Sequence, residues 1–381
     1  MNKYLLFIGI CLSLLNIQLA DAQESWQFLF NGENLDGWKV VGSPEWNVEE
    51  NVITVKGTGS EMGWLISEKE YTNFVLRARF QWEGGNSGIQ IRSTMEGEKM
   101  VGYQVNLDPS RPTATGSILE ENKRGMLQET KLTADEIFKK GEWNTCEISA
   151  LGDLITVYFN GHKMAEIEDP EGADSGVIAL QMQPGENAAM KWTDIRILEV
   201  PETSKWDSLF NGQSMEGWQP IGDSTWSVTD GALYGKSKSG GYGWLISDGK
   251  YENFHYVCRF MVPKGNSGIQ FRSKRVEDMV HGLQADLDST SDWINGHLYD
   301  QNGKGVLVRP DQDFSKLIDW NGWNTYEITA IGPKVELFIN GVKSIEYNEA
   351  PEQAGIFAYQ IHSNWEMETW WKDIRILELP D

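Results

Sequence analysis

The chain repeats itself at a spacing of 180 residues, and this period constrains the fold more than any other feature. Leu29-Phe30-Asn31-Gly32 returns as Leu209-Phe210-Asn211-Gly212, and Gly37-Trp38 as Gly217-Trp218. Gly63 to Ser67 recurs intact at Gly243 to Ser247, and Gly85 to Gln90 recurs at Gly265 to Gln270. Trp143-Asn144-Thr145 matches Trp323-Asn324-Thr325, and Asn160-Gly161 matches Asn340-Gly341. Asp194 to Glu199 returns one residue out of step at Asp373 to Glu378. A period this long exceeds any solenoid or propeller unit, so the chain holds two whole copies of one domain. The copies are expected at 23–200 and 206–381, joined around Pro201 to Lys205.

Residues 1–22 are expected to be a signal peptide. Lys3 supplies the positive start, Leu5 to Leu15 a short apolar stretch, and Ala20-Asp21-Ala22 a small-residue cleavage site. That pattern predicts export to the periplasm or the extracellular space. Cys11 would leave with the leader, and Cys146 and Cys258 then stand at non-equivalent positions as small strand hydrophobes, not a disulfide framework.

Each copy reads as strands. Phe74 to Phe80 and Leu154 to Phe159 are short and rich in β-branched and aromatic residues, and Asn160-Gly161 and Asn340-Gly341 are hairpin turns. Only Thr133 to Lys140 looks helical, with Thr133 as cap and Glu136 three residues on. The fold class expected is all-β: two tandem β-sandwiches in a jelly-roll arrangement. The 56 acidic residues against 33 basic ones, a net charge of −23, argue against nucleic acid and anionic membrane surfaces as partners. No apolar run after the leader is long enough for a membrane-spanning helix.

Strand alternation in the second copy gathers polar groups. Gln270 and Arg272 oppose the apolar Ile269 and Phe271; Gln284, Asp286 and Asp288 oppose Leu283, Ala285 and Leu287. Gln360 and His362 oppose Phe357, Tyr359 and Ile361. Side by side, these strands would bring Arg272, Gln284, Asp286, Gln360 and His362 onto one surface, with Trp293, Tyr299 and Asp300 arriving from the following segment. Aromatic faces beside amides and carboxylates are the chemistry of a sugar site. The plainer alternative is a solvated sheet face with ordinary polar residues. Asp286, Asp288 and Asp292, with His281, His297 and His362, leave a divalent metal ion open as a cofactor, although no ligand spacing marks one. The first copy keeps Arg92 and Gln104 but has Asn106 for Asp286, Gln183 for His362, and Leu119-Glu120 for Tyr299-Asp300. An amide cannot take a proton near neutrality, so the first copy reads as a binding or structural unit in which Glu120 and Glu121 keep a catalytic role open.

The order of these motifs resembles the 3-keto-disaccharide hydrolase family, also described as 3-keto-glucoside lyases and 3-keto-2-hydroxy-glucal hydratases. It is carried by Leu-Phe-Asn-Gly, Gly-Asn-Ser-Gly-Ile-Gln-x-Arg, Gln284-Ala285-Asp286, Leu298-Tyr299-Asp300, Trp-Asn-Thr and Gln360-x-His362. The second copy departs at Gln301 and Lys304, where Glu and Arg would be expected. The resemblance implies a concanavalin A-like jelly roll in an exported bacterial enzyme acting on oxidised glucosides. In that chemistry a C3 ketone acidifies C2–H, so the site needs a base, an acid and a group that stabilises the enolate oxygen. Asp286 or His362 would be the base, Asp300 the acid or its partner, and Arg272 or a bound cation the enolate stabiliser. Gln270, Gln284, Tyr299, Trp293 and Gln360, with Arg92, Gln104 and Glu120 in the first copy, would bind substrate. The competing expectation is a non-catalytic tandem carbohydrate-binding module on the same sandwich.

Overall fold

The computed structural model describes residues 25–380 apart from 109, 112, 134–136, 238–240, 292–293 and 363–365. The leader, Trp293, Asp292 and much of the expected helix Thr133–Lys140 therefore lie outside the described residues.

The chain is all-β, and each copy is a two-sheet jelly-roll sandwich. In the second copy the front sheet runs Trp218–Gly222, Gly243–Ser247, Ile356–Ile361, Asn266–Val276, Met279–Asp288, Leu298–Gln301, Gly305–Val308. The back sheet runs Ser224–Thr229, Ala232–Ser237, Glu368–Glu378, Phe254–Lys264, Asn324–Ile331, Lys334–Ile339, Val342–Tyr347. Neighbours far apart in sequence, such as Ile356–Ile361 beside Asn266–Val276, make the winding of a jelly roll. The first copy repeats both sheets strand for strand. Between the sheets of the second copy lies an apolar layer in which Trp218, Tyr359 and Trp371 stack, with ring centroids 5.0 and 4.2 Å apart.

Several repeated motifs are structural fasteners. Trp38 and Trp218 donate their indole N–H to the carbonyls of Leu29 and Leu209, closing the Leu-Phe-Asn-Gly loop onto the core. The hairpins at Asn160-Gly161 and Asn340-Gly341 have positive φ at both residues (48° and 75°; 50° and 77°), which explains the Asn-Gly pair. Each of those asparagines accepts from the backbone N–H of the Trp-Asn-Thr threonine, Thr145 or Thr325.

The two sandwiches pack through their back sheets about a pseudo-twofold axis. Arg196 of the first copy pairs with Glu327 of the second at 2.8 Å, and its counterpart Arg375 pairs with Glu147 at 2.5 Å. Arg77 bridges both glutamates across the axis. Burial alone would push the Glu147 carboxyl up, but Arg375 and Arg77 outweigh it and hold the group below its ordinary value. Around this buried network lie Trp26, Val75, Leu198, Ile331, Phe338 and Leu377, so the two front faces look outward in opposite directions.

Candidate functional site

The register of the second front sheet sets its outer face out as rows. Asp286, Gly268 and Gln360 lie side by side on three neighbouring strands, with Trp244 next in line. The adjacent row is Tyr299, Gln284, Gln270 and Ala358. The row on the other side brings Asp288 opposite Asn266. Beside Asn266, the backbone N–H of His362 donates to the Asn266 carbonyl at 3.4 Å. Two strand spacings, about 10 Å, separate the backbones of Asp286 and Gln360.

Gly268 is what lets this surface knit together. A Cβ there would meet Cγ and Cδ of Gln284 at 2.8 and 2.9 Å, so the bare glycine lets that side chain lie across the sheet. Gln284 then donates to Asp286 at 2.5 Å and to Gln360 at 3.2 Å, while Gln270 donates to Gln284. Asp286 is buried, and that desolvation pushes its carboxyl up to about 7. The Gln284 hydrogen bond opposes the rise and the Asp288 charge adds to it. Over the far side, Tyr242 stacks on the fully buried Trp244 at 5.6 Å, and its hydroxyl lies 3.0 Å from His362 Nε2. Sequence reasoning missed Tyr242; its one signal is that Met62 and Gln183 replace the pair Tyr242 and His362 together in the first copy.

The structure takes three kinds of predicted residue off this face. Arg272 sits at a β-bulge with φ 45°, where the register slips between Gln270 and Ser273. The extra residue shifts the alternation, so Ser273, not Arg272, shares the face of Gln270 and donates to it at 3.0 Å. The Arg272 guanidinium is directed at the carbonyls of Glu252, Gly332 and Pro351 and at Asn253, which ties loops together at the sandwich edge. Arg92, at the same bulge with φ 45°, donates to Thr72, Gly152 and Asn73 instead. Asp300 pairs in register with the core residue Leu283, which turns it to the opposite side, and it accepts from the Lys304 N–H in its own turn. Glu120 likewise pairs with Tyr103 and forms ion pairs with Lys123 and Arg124.

In the first copy Gln90, Gln104 and Gln181 repeat the amide ladder, with Gln104 accepting from both of the others at 2.7 and 3.1 Å. Asn106 stands where the second copy has Asp286, and Gln104 donates to it at 3.2 Å. The carboxylate that joins this ladder is Glu121, which accepts from Gln90 and Gln181. Burial raises its pKa above the ordinary value, against the pull of those two hydrogen bonds. Its counterpart in the second copy is Gln301, so the carboxylate that bonds the amide ladder stands at a different point of the same frame in each copy. Among the described residues no three His, Cys, Asp or Glu side chains converge as a metal-ligand set.

The molecule is thus a paired β-sandwich whose two front faces each carry an amide ladder joined by a carboxylate. The 3-keto-alpha-glucoside-1,2-lyase-like domain family matches residues 25–198 and 205–377, and the chain belongs to that family. No curated protein matches it. Among solved structures it is similar to a provisionally assigned glycosyl hydrolase from Parabacteroides distasonis, at 22% identity and a TM-score of 0.37. That match covers 46% of this chain and 100% of the other. It is also similar to the carbohydrate-binding module CBM66 from Bacillus subtilis, at 18% identity and a TM-score of 0.36, over 44% of this chain and 99% of the module.

Proposed function

We propose that the second copy cleaves 3-keto-glucosides by eliminating the aglycone, and that water then adds to the product. Asp286 carries the reading: it is a buried carboxyl held near 7 at the end of the amide ladder. A base working near neutrality is most effective with a pKa in that range. With the pyranose laid against the Gln284–Gln360 amide ladder, Asp286 removes the C2 proton and the electron pair moves to the C3 oxygen as an enolate. The pair returns to rebuild the C3 ketone, forming the C1–C2 double bond as the C1–O bond to the aglycone breaks. The departing oxygen takes a proton from His362, which Tyr242 orients, and the product is a 3-keto-2-hydroxy-glucal. The Gln360 side-chain amide, whose oxygen already accepts from Gln284, is the donor for the enolate oxygen once Arg272 is excluded.

The test is incubation with a nitrophenyl 3-keto-glucoside, following glucal absorbance and released nitrophenol. Because the base must be ionised, the acid-side limb of the kcat/KM profile should rise with pH through about 7. Saturable binding with no product at any pH or with any added divalent metal would instead support the non-catalytic module. For the first copy that second reading is favoured by Asn106 and Gln183, which cannot act as acid or base.

A further inference from the structure

Between the two sandwiches lies a cleft of about 610 Å³, distinct from both front faces. Its walls are built from repeat-related pairs: Arg79 with Arg259, Trp143 with Trp323, Thr145 with Thr325. The duplication supplies an internal control, because the same backbone frame is dressed differently at its two ends. Around Arg79 the counterparts are Val342 and Thr193, and Arg79 is closely paired with Asp194 at 3.0 Å. Around Arg259 they are His162 and Lys372, and the nearest acid, the exposed Asp373, stands 3.7 Å away.

At this second end three basic groups crowd together. Arg259 is 5% exposed, its Nε, like that of Arg79, has no hydrogen-bond partner, and its terminal nitrogens lie 3.1 and 3.5 Å from the His162 ring nitrogens. Lys372 Nζ lies 4.1 Å from the centre of the half-buried Trp323 ring, and Arg259 lies 5.5 Å from it. The other charged groups lining the cleft, Lys139, Glu142 and Asp319, are solvent-exposed and therefore screened. The crowding shows in titration: burial, then Arg259 and Lys372, bring the His162 imidazole down to about 4, and burial and Arg259 lower the Lys372 ammonium. A buried guanidinium with a free N–H and too little counter-charge calls for an anion, and the indoles beside it call for a ring.

We infer that the inter-domain cleft is a second binding site, for a saccharide carrying a carboxylate. Arg259 takes the carboxylate, the Lys372 ammonium adds positive charge from beside Trp323, and Trp143 and Trp323 border the sugar ring. A 610 Å³ volume suits one or two sugar residues. This site works independently of Asp286 and does not require the front face to be catalytic.

The experiment is tryptophan-fluorescence titration of the full chain with D-glucuronate, with D-glucose and inorganic phosphate as separate probes. The variant is His162→Val with Lys372→Thr, which gives this end the residues that the other end already accommodates. Saturable quenching by glucuronate, weakened roughly tenfold or more in the variant and not matched by glucose, is the expected result. Unchanged melting temperature and unchanged glucoside turnover in the variant separate this site from the front-face reading. No saturable response to glucuronate, or equal affinity in the variant, would overturn the site. Glucose binding as tightly as glucuronate would remove the anion. Phosphate binding as tightly as glucuronate would remove the sugar.

Discussion

The two front faces share a frame and differ in their acids. Both have the three-glutamine ladder lying across a bare glycine, Gly88 or Gly268, and both spend the bulge arginine on loop carbonyls. The second copy places its acid on the third strand of the ladder as Asp286 and adds the Tyr242–His362 pair. The first has Asn106, Met62 and Gln183 at those points and brings its acid in from the next strand, Ile118–Glu121, as Glu121. The contrast teaches that the ladder is the conserved scaffold of the duplication and that the carboxylate is the variable. A proton-transfer role then belongs to whichever copy holds the acid in reach of C2, and a binding role survives in either.

The sharpest way to break this comparison is to neutralise one acid at a time. Asp286→Asn should cut turnover of a 3-keto-glucoside by about 10²- to 10⁴-fold, whereas Glu121→Gln should leave that rate within a few-fold of wild type. The reverse ranking in a steady-state assay would move the catalytic site to the first copy. Because Asp286 has a folded-state pKa near 7, above its unfolded value, the fold favours its neutral form. Its contribution is thus complete at low pH and lost as pH rises towards and through 7, so Asp286→Asn should not lower the melting temperature at pH 8. Loss of folding in that variant would sink the catalytic interpretation of its inactivity.

A second substitution attacks what holds the copies together. Glu327→Ala leaves Arg196 and Arg77 buried with less counter-charge, and should cost about 3–5 kcal/mol in denaturant unfolding. A loss under 1 kcal/mol would mean that the interface does not depend on the network. A smaller effect is expected at the pair that only the second copy has. Tyr242→Phe should lower kcat several-fold with little change in KM, since it removes a partner of His362 and keeps the stacking on Trp244. Equal activity would show that His362 needs no orienting hydroxyl.

How much of this was legible follows from what each signal encodes. The 180-residue repeat, the Asn-Gly turns and the strand pattern are local in sequence, so the all-β tandem sandwich could be read directly. Gln270, Gln284, Asp286 and Gln360 obey simple alternation, and their strands do lie side by side. Arg272 and Arg92 escaped because a bulge adds one residue and reverses the parity beyond it, and nothing in Gln-x-Arg announces a positive φ at the arginine. Asp300 and Glu120 escaped because their side of the sheet depends on the register of a short four-residue strand against its neighbour, in which a one-residue step changes the face. Nothing in Trp-Asn-Thr marks what surrounds Trp323, and only the tertiary structure sets it in the wall of a cleft between domains.

The amino-acid order by itself determined the duplication, the strand-rich sandwich and the family, because these rest on spacing and alternation along a single chain. Which acid sits dry among amides, which arginines are consumed as loop ties, and that two back sheets close over a shared ion network were decided only in three dimensions. Burial, and with it the energy of a charge, depends on groups that are distant in sequence and meet only when the sheets pack.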